Sequence, residues 1–376
     1  MKTSLLTLSI ALALGLGMTT AQAADAVTVK IGQSSPLTGP QAHIGKDNDN
    51  GVRLAIDEIN ATKPTIGGKV VTFEVMSEDD QADPKTATIV AQRMVDEEIA
   101  GVIGHLNSGA TIPASKVYSD NNVPQISPSA TAIKYTAQGF KTAYRVMTND
   151  EQQGKVLGAY AAKLGKKVAI IDDQTAYGQG LAAEVEKAAK AAGAEVVAVE
   201  HTNDKATDFT AILTSIKGKA PDVIFFGGMD PQGAPMAKQM RQLGIKAQFL
   251  GGDGMQTPKF IELAGADAEG AIASIPGLPL DKMPKGTDFK QKFEAKYGQI
   301  QLYAPYAYDA AHVMVDAMKR ADSTDPEKYL PELAKTSYEG VTGKISFDAK
   351  GDLTSGPITL YTVKGGKWET LETIQP

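Results

Sequence analysis

The chain has 376 residues, a net charge of −6 at neutral pH, 42% hydrophobic residues and no cysteine. That length suits two domains rather than one. The apolar content excludes wholesale disorder, the acidic balance speaks against a nucleic-acid partner, and the missing thiols exclude disulfides, thiolate zinc sites, iron–sulfur clusters and cysteine nucleophiles. The four histidines, His43, His105, His201 and His312, include no pair three or four residues apart, so no metal or cofactor site is expected from them.

The chain opens on Lys2, an apolar run from Leu5 to Met18, and Ala21-Gln22-Ala23. This is the pattern of a secretory signal peptide over residues 1–23, cleaved after Ala23. The apolar core, about 14 residues, falls short of the ~20 needed to span a bilayer. A soluble, exported, periplasmic protein is expected.

Beyond the leader, strands and helices alternate. Val27–Gly32 reads as a strand, and Val52, Ala55, Ile56 and Ile59 form one helical stripe. The strand Lys69–Met76, a helix over 84–96, a strand over 99–103, a helix opening near Thr111 and the strand Gln125–Ser127 follow. The rhythm restarts with helices over 151–164, 180–192, 209–216 and 231–243. Between them lie strands over 167–171, 195–200, 222–226 and 248–250. Such alternation predicts parallel sheets covered by helices on both faces, in two runs and therefore two α/β lobes. The tail adds helices over 289–297 and 306–320, and strands over 342–348 and 355–363 about a turn at Lys350-Gly351-Asp352. This tail is too short for a third domain and returns to complete the other two.

Several stretches could carry chemistry. Gly178-Gln179-Gly180-Leu181-Ala182-Ala183 has the outline of a dinucleotide fingerprint, but Asp172–Tyr177 separate it from the strand, so a loop entering a helix is the better reading. Asp47-Asn48-Asp49-Asn50-Gly51 resembles a calcium loop whose glycine comes one position early; a solvated helix start explains it better. Ser108 opens a helix, and Ser127-Pro128-Ser129-Ala130-Thr131 ends a strand; both suit helix capping or a bound carboxylate. No nucleophile elbow frames either serine, so hydrolysis is not expected. Asp253, between glycines after a strand, is either a turn former or a partner for an ammonium group.

Taken together, the motifs resemble the periplasmic branched-chain amino-acid binding proteins of ABC transporters. The resemblance runs over Val29-Lys30-Ile31-Gly32, Leu37-Thr38-Gly39-Pro40, Ala55-Ile56-Asp57-Glu58-Ile59-Asn60 and Asp79-Asp80-Gln81-Ala82-Asp83-Pro84. It continues over Ile103-Gly104-His105-Leu106-Asn107-Ser108, Ser127-Pro128-Ser129-Ala130-Thr131-Ala132, Tyr177-Gly178-Gln179-Gly180-Leu181-Ala182 and Gly227-Gly228.

It implies an α/β protein of two Rossmann-like lobes joined by a multi-strand hinge, the type I periplasmic binding fold. Lobe 1 would take residues 24–147 and about 276–353, lobe 2 residues 148–275 and about 354–376. The implied ligand is a hydrophobic L-amino acid (Leu, Ile or Val) in the interlobe cleft. The implied partners are the permease and ATPase subunits of an importer, with the binding protein a monomer, not an enzyme, and free of cofactor.

By the same resemblance Ser108, in the loop with Asn107, binds the α-carboxylate. The Ser129 carbonyl and Thr131 hydroxyl meet the ammonium and carboxylate, Tyr177 lies over the ligand, and Asp253 takes the ammonium. Ile44 stands where the family often has an aromatic residue, Met229 where it has tyrosine, and Asp253 where it has glutamate. Tyr303 falls near an aromatic wall position. The losses at Ile44 and Met229 imply a larger pocket and leave the precise ligand open. A sensing module or a binder of a related small carboxylate is the alternative; a nicotinamide-dependent or hydrolytic enzyme is a weaker one.

Overall fold

The computed structural model describes residues 26–375; the predicted signal peptide lies outside the described residues. The first sheet is built from β1 (Val27–Ser35), β2 (Thr65–Ile66), β3 (Lys69–Asp79), β4 (Val102–Gly104), β5 (Gln125–Ser127) and β6 (Ala143–Arg145). Its order is β2-β3-β1-β4-β5-β6, parallel except at the β2 edge. The connecting helices are α1 (Ala42–Ala61), α2 (Pro84–Asp96), α3 (Ser108–Asp120) and the single turn α4 (Lys134–Ala137). Local chemistry sets their starts: the Asp83 carboxylate accepts from the Lys85 and Thr86 N–H groups, and Pro84 occupies the first helical position. The buried stripe Ala87, Val90, Ala91 and Met94 then meets Ala110, Ala114 and Tyr118 of α3.

The second lobe contains α5 (Asp150–Leu164), β7 (Lys167–Asp172), α6 (Ala176–Ala191), β8 (Glu195–His201), α7 (Thr210–Lys217), β9 (Val223–Gly227), α8 (Asp230–Gln242), β10 (Gln248–Gly251), α9 (Pro258–Ala264) and β11 (Ile272–Pro276). The chain then returns to the first lobe through α10 (Gly286–Tyr297), α11 (Ala304–Arg320) and α12 (Pro326–Leu333), with the small antiparallel pair β12 (Tyr338–Glu339) and β13 (Lys344–Ile345). It crosses once more to end as β14 (Ile358–Lys364) and β15 (Lys367–Ile374). These two join the second sheet antiparallel, giving the order β15-β14-β11-β10-β9-β7-β8. The chain thus passes between the lobes three times: after β6, after β11 and before β14.

Two expectations are corrected. The strand over 342–348 shrinks to Lys344–Ile345, with Phe347 bridging to Leu353. The Asp348 carboxylate captures the Lys350 and Asp352 N–H groups, so a turn displaces the ladder. Asp47 is not in a solvated helix start either. It is buried inside α1, and its carboxylate accepts from the backbone N–H groups of Gln301, Leu302 and Ala304. It caps the start of α11 from outside, and burial pushes its pKa up to about 6 against the pull of those donors.

In each sheet the strand order reverses at one strand: β1 is flanked by β3 and β4, and β7, one strand in from the edge, by β8 and β9. The crevice beyond the carboxyl ends of strands at such a reversal is the place where an open α/β sheet can hold a ligand. In both lobes those ends face the cleft.

Candidate functional site

In the first lobe, two loops leave the carboxyl ends of β4 and β5 and are tied together by side chain to backbone hydrogen bonds. The Ser127 hydroxyl donates to the His105 carbonyl at 2.8 Å and accepts from the Ala130 N–H at 2.9 Å. The Ser129 hydroxyl donates to the Leu106 carbonyl at 3.0 Å, and the Ser108 hydroxyl accepts from the Ala132 N–H at 3.1 Å. Asn107, the residue before α3, donates through Nδ2 to the Gln41 side chain at 2.8 Å. Behind the loops, His105 is wholly buried between the Asp80 carboxylate (Nδ1 to Oδ2, 2.7 Å) and the Tyr118 hydroxyl (Nε2 to O, 3.0 Å). Arg145 backs the second loop, donating to the Ala130 and Ala132 carbonyls at 2.6 and 3.0 Å and pairing with Asp352 at 2.6 Å. The hydroxyls of Ser108, Ser127 and Ser129 and the side chains of His105 and Arg145 are thus partnered within the lobe, which makes this wall preformed.

The second lobe contributes side chains that reach. Thr175 caps α6 through the Gly178 N–H, which places Tyr177 in the first turn. Asp253 follows β10, and its Oδ1 accepts from the Tyr177 hydroxyl at 2.8 Å and from Gln153 Nε2 at 2.9 Å. Its Oδ2 accepts from the hydroxyl of Tyr303, which comes from the first lobe ahead of α11, at 2.5 Å. The flanking glycines make room for this: a Cβ on Gly252 would lie 2.5 Å from the Tyr177 hydroxyl, and one on Gly254 2.5 Å from the Met229 sulfur. Burial pushes the Asp253 pKa up, opposed by its three side-chain donors.

Leu106, Asn107, Ser108, Ser129, Tyr177, Met229, Asp253 and Tyr303 together line a small interlobe cavity. Seven of these eight are residues anticipated in the sequence. Leu106 was missed; its signal was an apolar residue between a strand end and the helix-opening serine. Gln153, which holds Asp253, carried no local signal. Thr131 and Ile44 are buried but outside the lining. Gly178, from the glycine outline considered above, lies inside α6, where a Cβ would strike the Gly227 carbonyl at 2.4 Å; it allows a helix and a strand to approach.

The profile of the periplasmic binding protein family matches residues 28–367. The chain belongs to that family. This periplasmic binding protein is 34% identical over 337 residues to a leucine-, isoleucine-, valine-, threonine- and alanine-binding protein of Pseudomonas aeruginosa, with 89% of each chain covered. Among solved structures it resembles a leucine-binding protein of Thermotoga maritima (TM-score 0.84, 30% identity, 93% of this chain and 99% of that one). It also resembles a branched-chain amino-acid transporter substrate-binding protein of Streptococcus pneumoniae solved with isoleucine (TM-score 0.83, 32% identity, 93% and 100% covered). The two-lobed architecture is that of the type I periplasmic binding proteins.

Around the binding protein's cleft the second lobe carries further buried acids. Burial pushes Asp150, at the start of α5, up to about 8; Asp253 and Glu184 add to the rise, while Thr131 and Arg145 oppose it. The Thr131 hydroxyl lies near enough to favour the carboxylate, without a hydrogen bond of ordinary geometry. Asp173 is pushed up to about 6 by burial. Among the described residues no group of three or more His, Cys, Asp or Glu side chains is arranged to hold a metal ion.

Proposed function

We propose that the protein captures a branched-chain or other hydrophobic L-amino acid in this cavity and delivers it to the permease and ATPase subunits of an ABC importer. The observation that carries the reading is the pairing, across one small cavity, of a buried carboxylate with a hydroxyl at a helix start. A zwitterion entering a closed cleft loses water at both ends and needs a partner for each charge. Ser108 offers a hydroxyl and the positive end of α3 to the α-carboxylate. Asp253 and the Ser129 carbonyl take the ammonium, Thr131 supports them from behind, and Tyr177 and Tyr303 cover the ligand. Leu106 and Met229 form the apolar wall, with Ile44 behind it. Burying a leucine or valine side chain there is worth roughly 1.5–3 kcal/mol. The names of the relatives support the same ligand class.

In this reading the protein is exported with its leader removed and works in the periplasm as a monomer without catalysis. Lobe 1 takes residues 24–147 and about 276–353, and lobe 2 the remainder of the mature chain. The lobes open and close about the three crossings, and ligand shifts that equilibrium by its preference for the closed form. The test is calorimetric titration of protein freed of ligand by unfolding and refolding, with leucine, isoleucine, valine, phenylalanine and 4-methylpentanoate. One-to-one binding of the aliphatic amino acids near micromolar strength, about −8 kcal/mol, with none of the amine-free acid, is expected. Equal binding of 4-methylpentanoate would transfer the site to simple carboxylates; binding of nothing would overturn the ligand class.

A further inference from the structure

Two side chains outside the cavity meet across the cleft. His43 lies in the first turn of α1, next to Ile44, and Asp230 opens α8, next to Met229. His43 Nε2 and Asp230 Oδ2 are 2.7 Å apart, the imidazole 17% exposed and the carboxylate fully buried. A carboxylate accepts, so Nε2 carries the hydrogen. One partner is fixed to the first lobe and the other to the second.

The other groups facing Asp230 are the Thr257 hydroxyl, ahead of α9, which donates to the same Oδ2 at 2.6 Å, and the Tyr303 phenol, ahead of α11. Thr257 belongs to the second lobe and stays with Asp230 whatever the lobes do. Oδ1 has no hydrogen-bond partner. Among the described residues the ion pair of Asp230 is with His43, so parting the lobes takes away its cationic partner.

We propose that His43 and Asp230 are a positioning pair that holds the lobes at the closed spacing and thereby strengthens ligand binding without touching the ligand. The proposal rests on the amino-acid reading of the cleft. It adds that closure has its own fastener, next in sequence to Ile44 and to the lining residue Met229. Observed affinity is the affinity of the closed form scaled by the fraction that closes, so a contact made only on closure raises affinity from outside the site.

The experiment uses the mature chain freed of ligand. Leucine affinity is measured by calorimetry for the wild type, His43→Ala and His43→Gln. The ligand-free melting temperature and the radius of gyration by small-angle scattering are recorded beside it. His43→Ala should weaken leucine binding roughly fivefold to tenfold, with the ligand-free melting temperature unchanged. His43→Gln, a neutral donor, should recover part of that loss. Wild-type affinity in His43→Ala would overturn the proposal. So would a lowered ligand-free melting temperature with affinity and radius of gyration unchanged, which marks a purely structural contact. If wild type binds none of the amino acids, the reading of the site has failed, and scattering alone decides. A ligand-free chain that expands in His43→Ala supports the pair, and one of unchanged radius overturns it.

Discussion

The two walls of the cleft are built on different plans. In the first lobe, backbone and hydroxyls do the work: Ser108, Ser127 and Ser129 are spent partly on each other's loops, and Asp80, His105, Tyr118 and Arg145 lock those loops from behind. In the second lobe, Tyr177, Met229 and Asp253 extend from three separate strand ends, and Asp253 is completed only when Tyr303 arrives from the first lobe. One wall is finished before the lobes meet, and the other is finished by their meeting. A preformed wall suits first capture, because little ordering remains to be done on binding. A wall that needs its opposite number suits a signal that capture has occurred.

The largest expected effect falls on the wall that reaches. Asp253→Ala should lower leucine affinity by at least about 100-fold, since a buried ammonium would lose its counter-charge, as read by calorimetry. A loss below about tenfold would erase the distinction between the walls. Ser108→Ala should cost roughly tenfold in affinity. It also leaves the Ala132 N–H without its acceptor, so the ligand-free protein should lose about 1 kcal/mol in urea unfolding. Asp253→Ala should show instead its main effect on binding.

Met229→Ala should weaken aliphatic ligands only about threefold to fivefold, with the larger ligands least affected, because a flexible thioether wall gives way easily; parallel titrations of valine and leucine measure this. The smallest effect concerns the junction of the lobes, where α5 begins after the first crossing. Asp150, pushed up to about 8, keeps a proton in the fold that an unfolded carboxyl near about 4 would release. That proton stabilises fully below about pH 4, and its contribution fades as the pH rises toward about 8. Asp150→Asn should therefore gain melting temperature over the wild type by more at about pH 8 than at about pH 5; an equal gain at both would remove the junction from the comparison.

Much of the fold could be read locally. The helix Pro84–Asp96 and the strand Gln125–Ser127 announce themselves by a capping aspartate and by flanking turns. β15 does not: Lys367–Ile374 is mostly exposed, and β14 beside it makes it a strand. The same division holds at the site. Ser108, Tyr177 and Asp253 were legible through resemblance to a family, since their spacing is compatible with caps and turns. Arg145 with Asp352, 207 residues away, and Gln153 with Asp253, 100 residues away, have no local mark, because their roles exist only once the chain has come back on itself.

The cap that Asp47 places on the start of α11 has a consequence in time. Asp47 and Leu302 are 255 residues apart, and α11 packs along α1 as part of the first lobe's core. Early strands can form before that, but the lobe they belong to cannot close until the chain beyond residue 300 has been made. Contacts so distant in sequence form slowly, after the entropy of a long loop has been overcome. A ribosome thus releases most of this chain before either lobe is whole. For the export proposed above, which passes a chain through a narrow secretory channel, late completion keeps it threadable for as long as passage requires.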